Sequence, residues 1–233
     1  MRHERRVVAG GVALLVLLSW WYLFDGAGMD TGMAAMAPPP FAALVVMWSL
    51  MMVAMMLPSA APAVLLYARV REIRSRDSDI AQTWIFLAGY AAVWLLFSIV
   101  AAAAQQVLNG RSMALDVRIT NGAMLLAAGL YQLSPLKNAC VRQCRSPAQF
   151  ISRHWQSGWE GAIRLGIRHG AYCVGCCWLL MALLFVGGVM NLLWIAGLTA
   201  IVAIEKLAPR GALFGRMIGV ALAIWGLATL AGY

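Results

Sequence analysis

Five cysteines fall between positions 140 and 177, in two tight groups. The first is Cys140-Val141-Arg142-Gln143-Cys144 and the second is Cys173-Val174-Gly175-Cys176-Cys177. Thiolate is a ligand that Cu(I) and Zn(II) favour. The same sulfur forms disulfides in an oxidising compartment. Soft-metal binding and thiol exchange are therefore the two chemistries in view. Residues four apart share a helix face, so a helical conformation points Cys140 and Cys144 the same way. Cys173 and Cys177 likewise share a face, with Cys176 beside Cys173. Two such faces brought together make a three- or four-thiolate site. The spacing differs from that of paired zinc fingers. A single cysteine in a membrane helix is ordinarily a small hydrophobe, whereas five in two groups argue for function.

Two non-sulfur candidates stand close by, His169 and Glu205. A carboxylate near a bilayer is costly and takes a partner. For Glu205 the ordinary partner is Lys206 or an arginine, and the functional one is a metal or a proton. His154, next to Trp155 and Trp159, reads as an interfacial residue.

A second kind of sulfur precedes the thiols. The stretch 25–40 holds Met29, Met33 and Met36 with Asp25 and Asp30, and contains no cysteine, lysine or arginine. Thioethers need no deprotonation, which suits capture of Cu(I). Met47, Met51 and Met55 then form a stripe at spacing four, with Met52 and Met56 beside it. Of these, Met51 and Met55 are the candidate ligands. The competing reading is core packing, where methionine fills irregular gaps. Pro58 and Pro62 follow, and proline inside a span frees backbone carbonyls.

The elements that must position these groups are membrane spans. The chain has 233 residues, 63% hydrophobic and 12% charged, about half the charged fraction of a soluble domain. About 20 apolar residues cross a bilayer. Seven segments qualify: 7–24, 41–67, 80–105, 119–133, 170–186, 191–205 and 212–233. The fourth and sixth are short, and the fifth and sixth form a hairpin about Gly187-Gly188. The expected fold is all-α, a single polytopic transmembrane bundle over 1–233. It carries a Met-rich outer loop at 25–40 and a basic inner loop with an interfacial helix at 137–169. Sixteen of the eighteen lysines and arginines fall in alternate connectors; only Arg111 and Arg118 do not. The positive-inside rule then places the N-terminus, and both cysteine groups, on the cytoplasmic side. There thiols stay reduced. The net charge of +9 follows from this asymmetry and implies no nucleic-acid partner. The first segment ends in Trp20, Trp21, Tyr22 and Phe24, an interfacial anchor rather than a signal-peptide cleavage region.

Several blocks together resemble a bacterial family of metal-binding integral membrane proteins, long labelled a domain of unknown function, some of whose members are called copper chaperones. They are Met51-Met52-Val53-Ala54-Met55-Met56-Leu57-Pro58-Ser59, Tyr131-Gln132-Leu133-Ser134-Pro135-Leu136-Lys137 with Cys140 and Cys144, and Tyr172-Cys173-Val174-Gly175-Cys176-Cys177-Trp178. Gly188-Val189-Met190-Asn191-Leu192 and Glu205-Lys206 complete the set. The resemblance implies metal binding and residence in a bacterial inner membrane.

The leading expectation is a multi-pass membrane protein that receives or passes Cu(I) between the outer methionines and the inner cysteines. Its partners are the lipid bilayer, a metal-donor or acceptor protein, and a membrane-protein subunit. Zinc, or no metal, stays open as the alternative cargo. The competing functions are a subunit of a copper-dependent membrane oxidase or monooxygenase, and a membrane thiol oxidoreductase working through Cys173 and Cys176. Whether the chain is an enzyme stays open. No phosphate-binding loop, Ser/His/Asp set or dinucleotide fingerprint is present in the sequence.

Overall fold

The computed structural model of the chain describes residues 2–25, 39–74, 80–111 and 117–232. Met29, Asp30, Met33 and Met36 lie outside the described residues. The helices follow the apolar runs. They are α1 (Arg2–Phe24), α2 (Phe41–Arg74), α3 (Ala81–Arg111), α4 (Val117–Leu133), α5 (Pro135–Arg145), α6 (Pro147–His154), α7 (Gly158–Ala182), α8 (Leu184–Gly187), α9 (Leu192–Leu207) and α10 (Gly211–Ala231). No strand occurs among the described residues, so the fold is all-α.

Five of these helices are long and apolar enough to cross a membrane: α1, α2, α3, the α7–α8 segment and α10. The chain is thus a membrane protein by length and composition of its helices. Seven crossings are expected from the sequence. The two short candidates form helices, α4 of 17 residues and α9 of 16, but fall below the length of the other five. Lipid-facing chemistry is written on the outer surface. Leu14, Leu17, Leu18, Leu96, Val100 and Ile224 are all exposed, which bulk water would penalise and hydrocarbon does not.

Local signals explain the boundaries near the thiols. Pro135 ends α4 and opens the next helix, for Ser134 is the N-cap of α5. Its hydroxyl accepts the Lys137 backbone N–H at 3.2 Å, and Pro135 fills the first helical position. Proline suits that position because its missing N–H would have no partner there. Further on, α7 starts at Gly158, well before the expected span at 170. Trp159, Arg164 and Arg168 therefore ride on the helix that carries Cys173, and the shorter α6 precedes it. The hairpin turns where expected. Gly188 has φ of +89°, a conformation that costs glycine little. Asn191 then caps α9 by accepting the Trp194 N–H at 3.2 Å.

Two glycine seams hold the bundle. Along α4 and α10, Gly129 faces the backbone of Gly219 and Ala223, and Gly226 faces that of Gly122 and Leu126. Along α3 and α7, a Cβ on Gly166 would overlap the Phe86 carbonyl, and one on Gly89 would meet the Ile163 carbonyl at 2.6 Å. Lipid offers no hydrophobic drive for helix association, so close backbone approach supplies it through dispersion. The α3–α7 seam matters for chemistry because it brings Tyr90 against the thiols of α7.

Candidate metal centre

Cys173 is the hub. It is buried on α7, and two other elements put a polar group on its sulfur. Lys206 of α9 donates to Cys173 Sγ from 3.0 Å. The Tyr90 hydroxyl of α3 lies 3.1 Å from the same sulfur, and 3.4 Å from the Met56 carbonyl oxygen of α2. Cys144 of α5 lies near Cys173 and Cys176. The two cysteine groups, 29 residues apart in the chain, thus meet in space.

The other thiols arrange around this hub. Cys176 and Cys177 turn their hydrogens back to the Cys173 carbonyl oxygen, at 3.0 and 2.9 Å. This is the local back-bonding that short polar side chains make within helices. Cys177 also lies 3.8 Å from the Met56 sulfur. Cys140 packs on Gly175, its sulfur 3.1 Å from where a Cβ at that position would be. The bare glycine lets α5 approach α7, and the Tyr131 hydroxyl donates to the Gly175 carbonyl from the α4 side. All five thiols are free.

His169 stands one turn before Cys173 on α7 and is buried, 3% exposed. Its ring lies among those of Phe86, Tyr90 and Phe150, and its Nδ1 has no hydrogen-bond partner among the described residues. An unpaired buried nitrogen is costly, and a ligand-bearing role would relieve that cost. Glu205 behaves otherwise. Its carboxylate is held by Lys137, not by the adjacent Lys206. Lys206 has no carboxylate partner among the described residues and goes to Cys173 and to Ser59 Oγ, 3.3 Å away.

Met51 and Met55 are fully buried in α2, as are Met52 and Met56, which accords with core packing. The methionine that touches a thiol is Met56, one position beyond the stripe singled out from spacing. Met56, Tyr90, Lys206 and Ser59 are the members of this centre that sequence reasoning does not name as site residues. For Met56 the block Met55-Met56 before Pro58 carries some signal. Ser59 closes that same block, and for Tyr90 no local pattern carries any.

A family model described as a copper chaperone, PpoB2, matches residues 45–229. The chain belongs to this copper chaperone family. The match runs from the methionine stripe of α2 to the end of α10 and includes every group just described. No curated protein matches the chain, and no solved structure does.

For a copper chaperone the metal is cargo, so the test is whether the donors suit it. Among the described residues, no three His, Cys, Asp or Glu side chains stand as a finished metal cage. The donor types do suit Cu(I): three buried thiols of α7 and the buried Met56 thioether lie in one region with Cys144 nearby, and soft sulfur is what that ion selects. Cys176 and Cys177 would have to rotate off the Cys173 carbonyl to ligate, a change of one staggered rotamer each.

Cys144, on the short helix outside the spans, has its pKa raised well above that of an ordinary thiol. The first cause is the neighbouring Cys173 thiol, then that of Cys176, then burial. Cys140 is raised by burial and by the nearby Cys176. Both are therefore protonated thiols at neutral pH. Alkylation by iodoacetamide needs thiolate. Half-maximal labelling of Cys144, followed by mass spectrometry across a pH series, is expected at higher pH in the folded chain than in the denatured one. Coincident curves would contradict this arrangement.

Proposed function

We propose that the chain is a copper-binding membrane protein that receives or passes Cu(I), with Cys173 as the central ligand. Cys144, Cys176 and Cys177 are the further thiolates, and Met56 is the thioether at the edge of the site. Cys140 and His169 stand next to it. The observation that carries this reading is that sulfur from three helices gathers in one region: Cys140 of α5 packs on Gly175 of α7, and Met56 of α2 lies beside Cys177. The methionines of 25–40 would capture the ion outside, and Met51 and Met55 would line the way inward. Thiolate is the stronger ligand for Cu(I), so affinity rises from the methionines to the cysteines. That gradient gives direction without an energy source.

The topology that serves this function has seven crossings, with α4 and α9 as the short ones and the N-terminus in the cytoplasm. The charge asymmetry of the connectors supports it. On that topology the thiol site faces the reducing side of a bacterial inner membrane. The partners are then a metal donor outside and a thiol-bearing acceptor inside.

Purification under reducing conditions, followed by metal analysis, tests the reading. Copper is expected at about one ion per chain, the stoichiometry of a single sulfur site. It should be lost when Cys144, Cys173, Cys176 and Cys177 are all changed to serine. A copper-free preparation after Cu(I) loading would sink the proposal.

One observation favours a second reading, a thiol oxidoreductase. Lys206 and Tyr90 both meet the sulfur of Cys173, and a thiol with donors around it is placed for nucleophilic attack on a disulfide. Trapping of a mixed disulfide on Cys173 in a Cys176→Ser chain would shift the assignment to that activity.

A further inference from the structure

Helix α5 carries two of the five cysteines, yet it is only 11 residues long and lies outside the five long spans. What fixes it against α7 is polar and sits at both of its ends. In its first turn, buried Lys137 donates to Glu205 Oε1 of α9 and to Gln132 Oε1 of α4. Lys137 is 1% exposed and Glu205 6%. The Glu205 carboxylate rests on Gly215 of α10, where a Cβ would meet Oε1 at 2.5 Å. At its last residue, Arg145 donates to the carbonyl oxygens of Glu205, Ala208 and Pro209 at 3.0, 2.8 and 2.9 Å. These carbonyls lie at the end of α9 and just past it, where no N–H of that helix uses them. Residues 137 and 145 thus bracket Cys140 and Cys144, and both grip the end of α9.

We infer that Glu205 is a positioning residue for the thiol site: held by Lys137 and backed by Arg145, it clamps α5 so that Cys144 meets Cys173 and Cys176. The inference rests on the copper reading for the purpose of that contact, though not for its geometry. It separates Glu205 from the metal-ligand role that its place beside Lys206 invites. A buried ion pair sets geometry where it is completely partnered, and loss of one member leaves the other charge stranded. Loss of the carboxylate frees the first turn of α5, leaves only the Arg145 grip at its far end, and withdraws Cys144 from the hub.

The test uses the full chain in detergent with Cys140, Cys176 and Cys177 changed to serine, so that Cys144 and Cys173 alone remain. Dibromobimane becomes fluorescent only when it bridges two thiols, and its rate reports their approach without any copper. Glu205→Gln and Lys137→Met are each expected to slow bridging about tenfold, a fraction of the effect of breaking a buried pair. The reciprocal exchange, Lys137→Glu with Glu205→Lys, is expected to restore it. Single-site labelling of Cys173 should not change, which a general loosening of the fold would not spare. Bridging at the parent rate in Glu205→Gln overturns the inference. If that chain does not fold, Arg145→Gln removes the second grip with the buried pair intact; slower bridging there supports the clamp and an unaltered rate overturns it. A chain that bridges as expected but binds no copper would sink the metal reading alone.

Discussion

Replacing Cys173 with serine is expected to lower Cu(I) retention about a hundredfold or more, the largest effect of any single thiol. Loss of a supporting contact around a metal already costs about 10–100-fold, and Cys173 is the ligand around which the others are arranged. It receives the Lys206 ammonium and adjoins the Tyr90 hydroxyl, and it is the thiol to which Cys144 reaches from another helix. Serine keeps the shape but offers a hard oxygen that Cu(I) binds poorly. Cys140→Ser should be milder, because that sulfur stands off against Gly175. Competition with a chromophoric Cu(I) chelator ranks the variants. Equal affinities for Cys173→Ser and Cys140→Ser would remove Cys173 from its central place.

Gly166→Val is expected to be the most damaging single change to the fold. A Cβ at this position overlaps the Phe86 carbonyl and lies 3.1 Å from the Tyr90 N–H. Both are backbone, so neither can swing aside, and α3 must move away from α7. Overfilling a tight core costs about 1–3 kcal/mol and occasionally more; a helix–helix seam closed on backbone belongs at the upper end. The damage reaches the site as well, since Tyr90 on α3 would leave Cys173. Unfolding by a graded denaturing detergent measures the loss. Gly10→Val, where nothing lies within 4 Å of the added Cβ, serves as the control and should unfold with the parent. Equal stability of the two variants would contradict the seam.

The helices themselves are legible in the sequence because apolar runs and few charges leave little choice. So are the hairpin at Gly188 and the two thiol groups as local objects. The internal order of 135–169 is harder to read. Pro135 looks like a stop, yet with Ser134 before it the same residue begins α5. The partners across the centre are not legible at all. Glu205 and Lys206 are neighbours in the chain, and spacing pairs them with each other. In the fold they point to different elements, Glu205 to Lys137 and Lys206 to Cys173. Successive helical side chains diverge by about 100°, so adjacent charges rarely share a partner. What each one meets depends on helix packing that no local pattern encodes. The same holds for Met56, whose contact with Cys177 follows from how α2 is rotated about its axis.

The α4–α10 seam has a consequence for biogenesis. Synthesis runs from the N-terminus, so α4 is made long before α10 exists. Until then the face of α4 that bears Gly122 and Gly129 has only lipid beside it, and the Lys137–Glu205 clamp lacks the Gly215 surface that seats its carboxylate. The clamp on α5 is therefore complete only once α10 has been made.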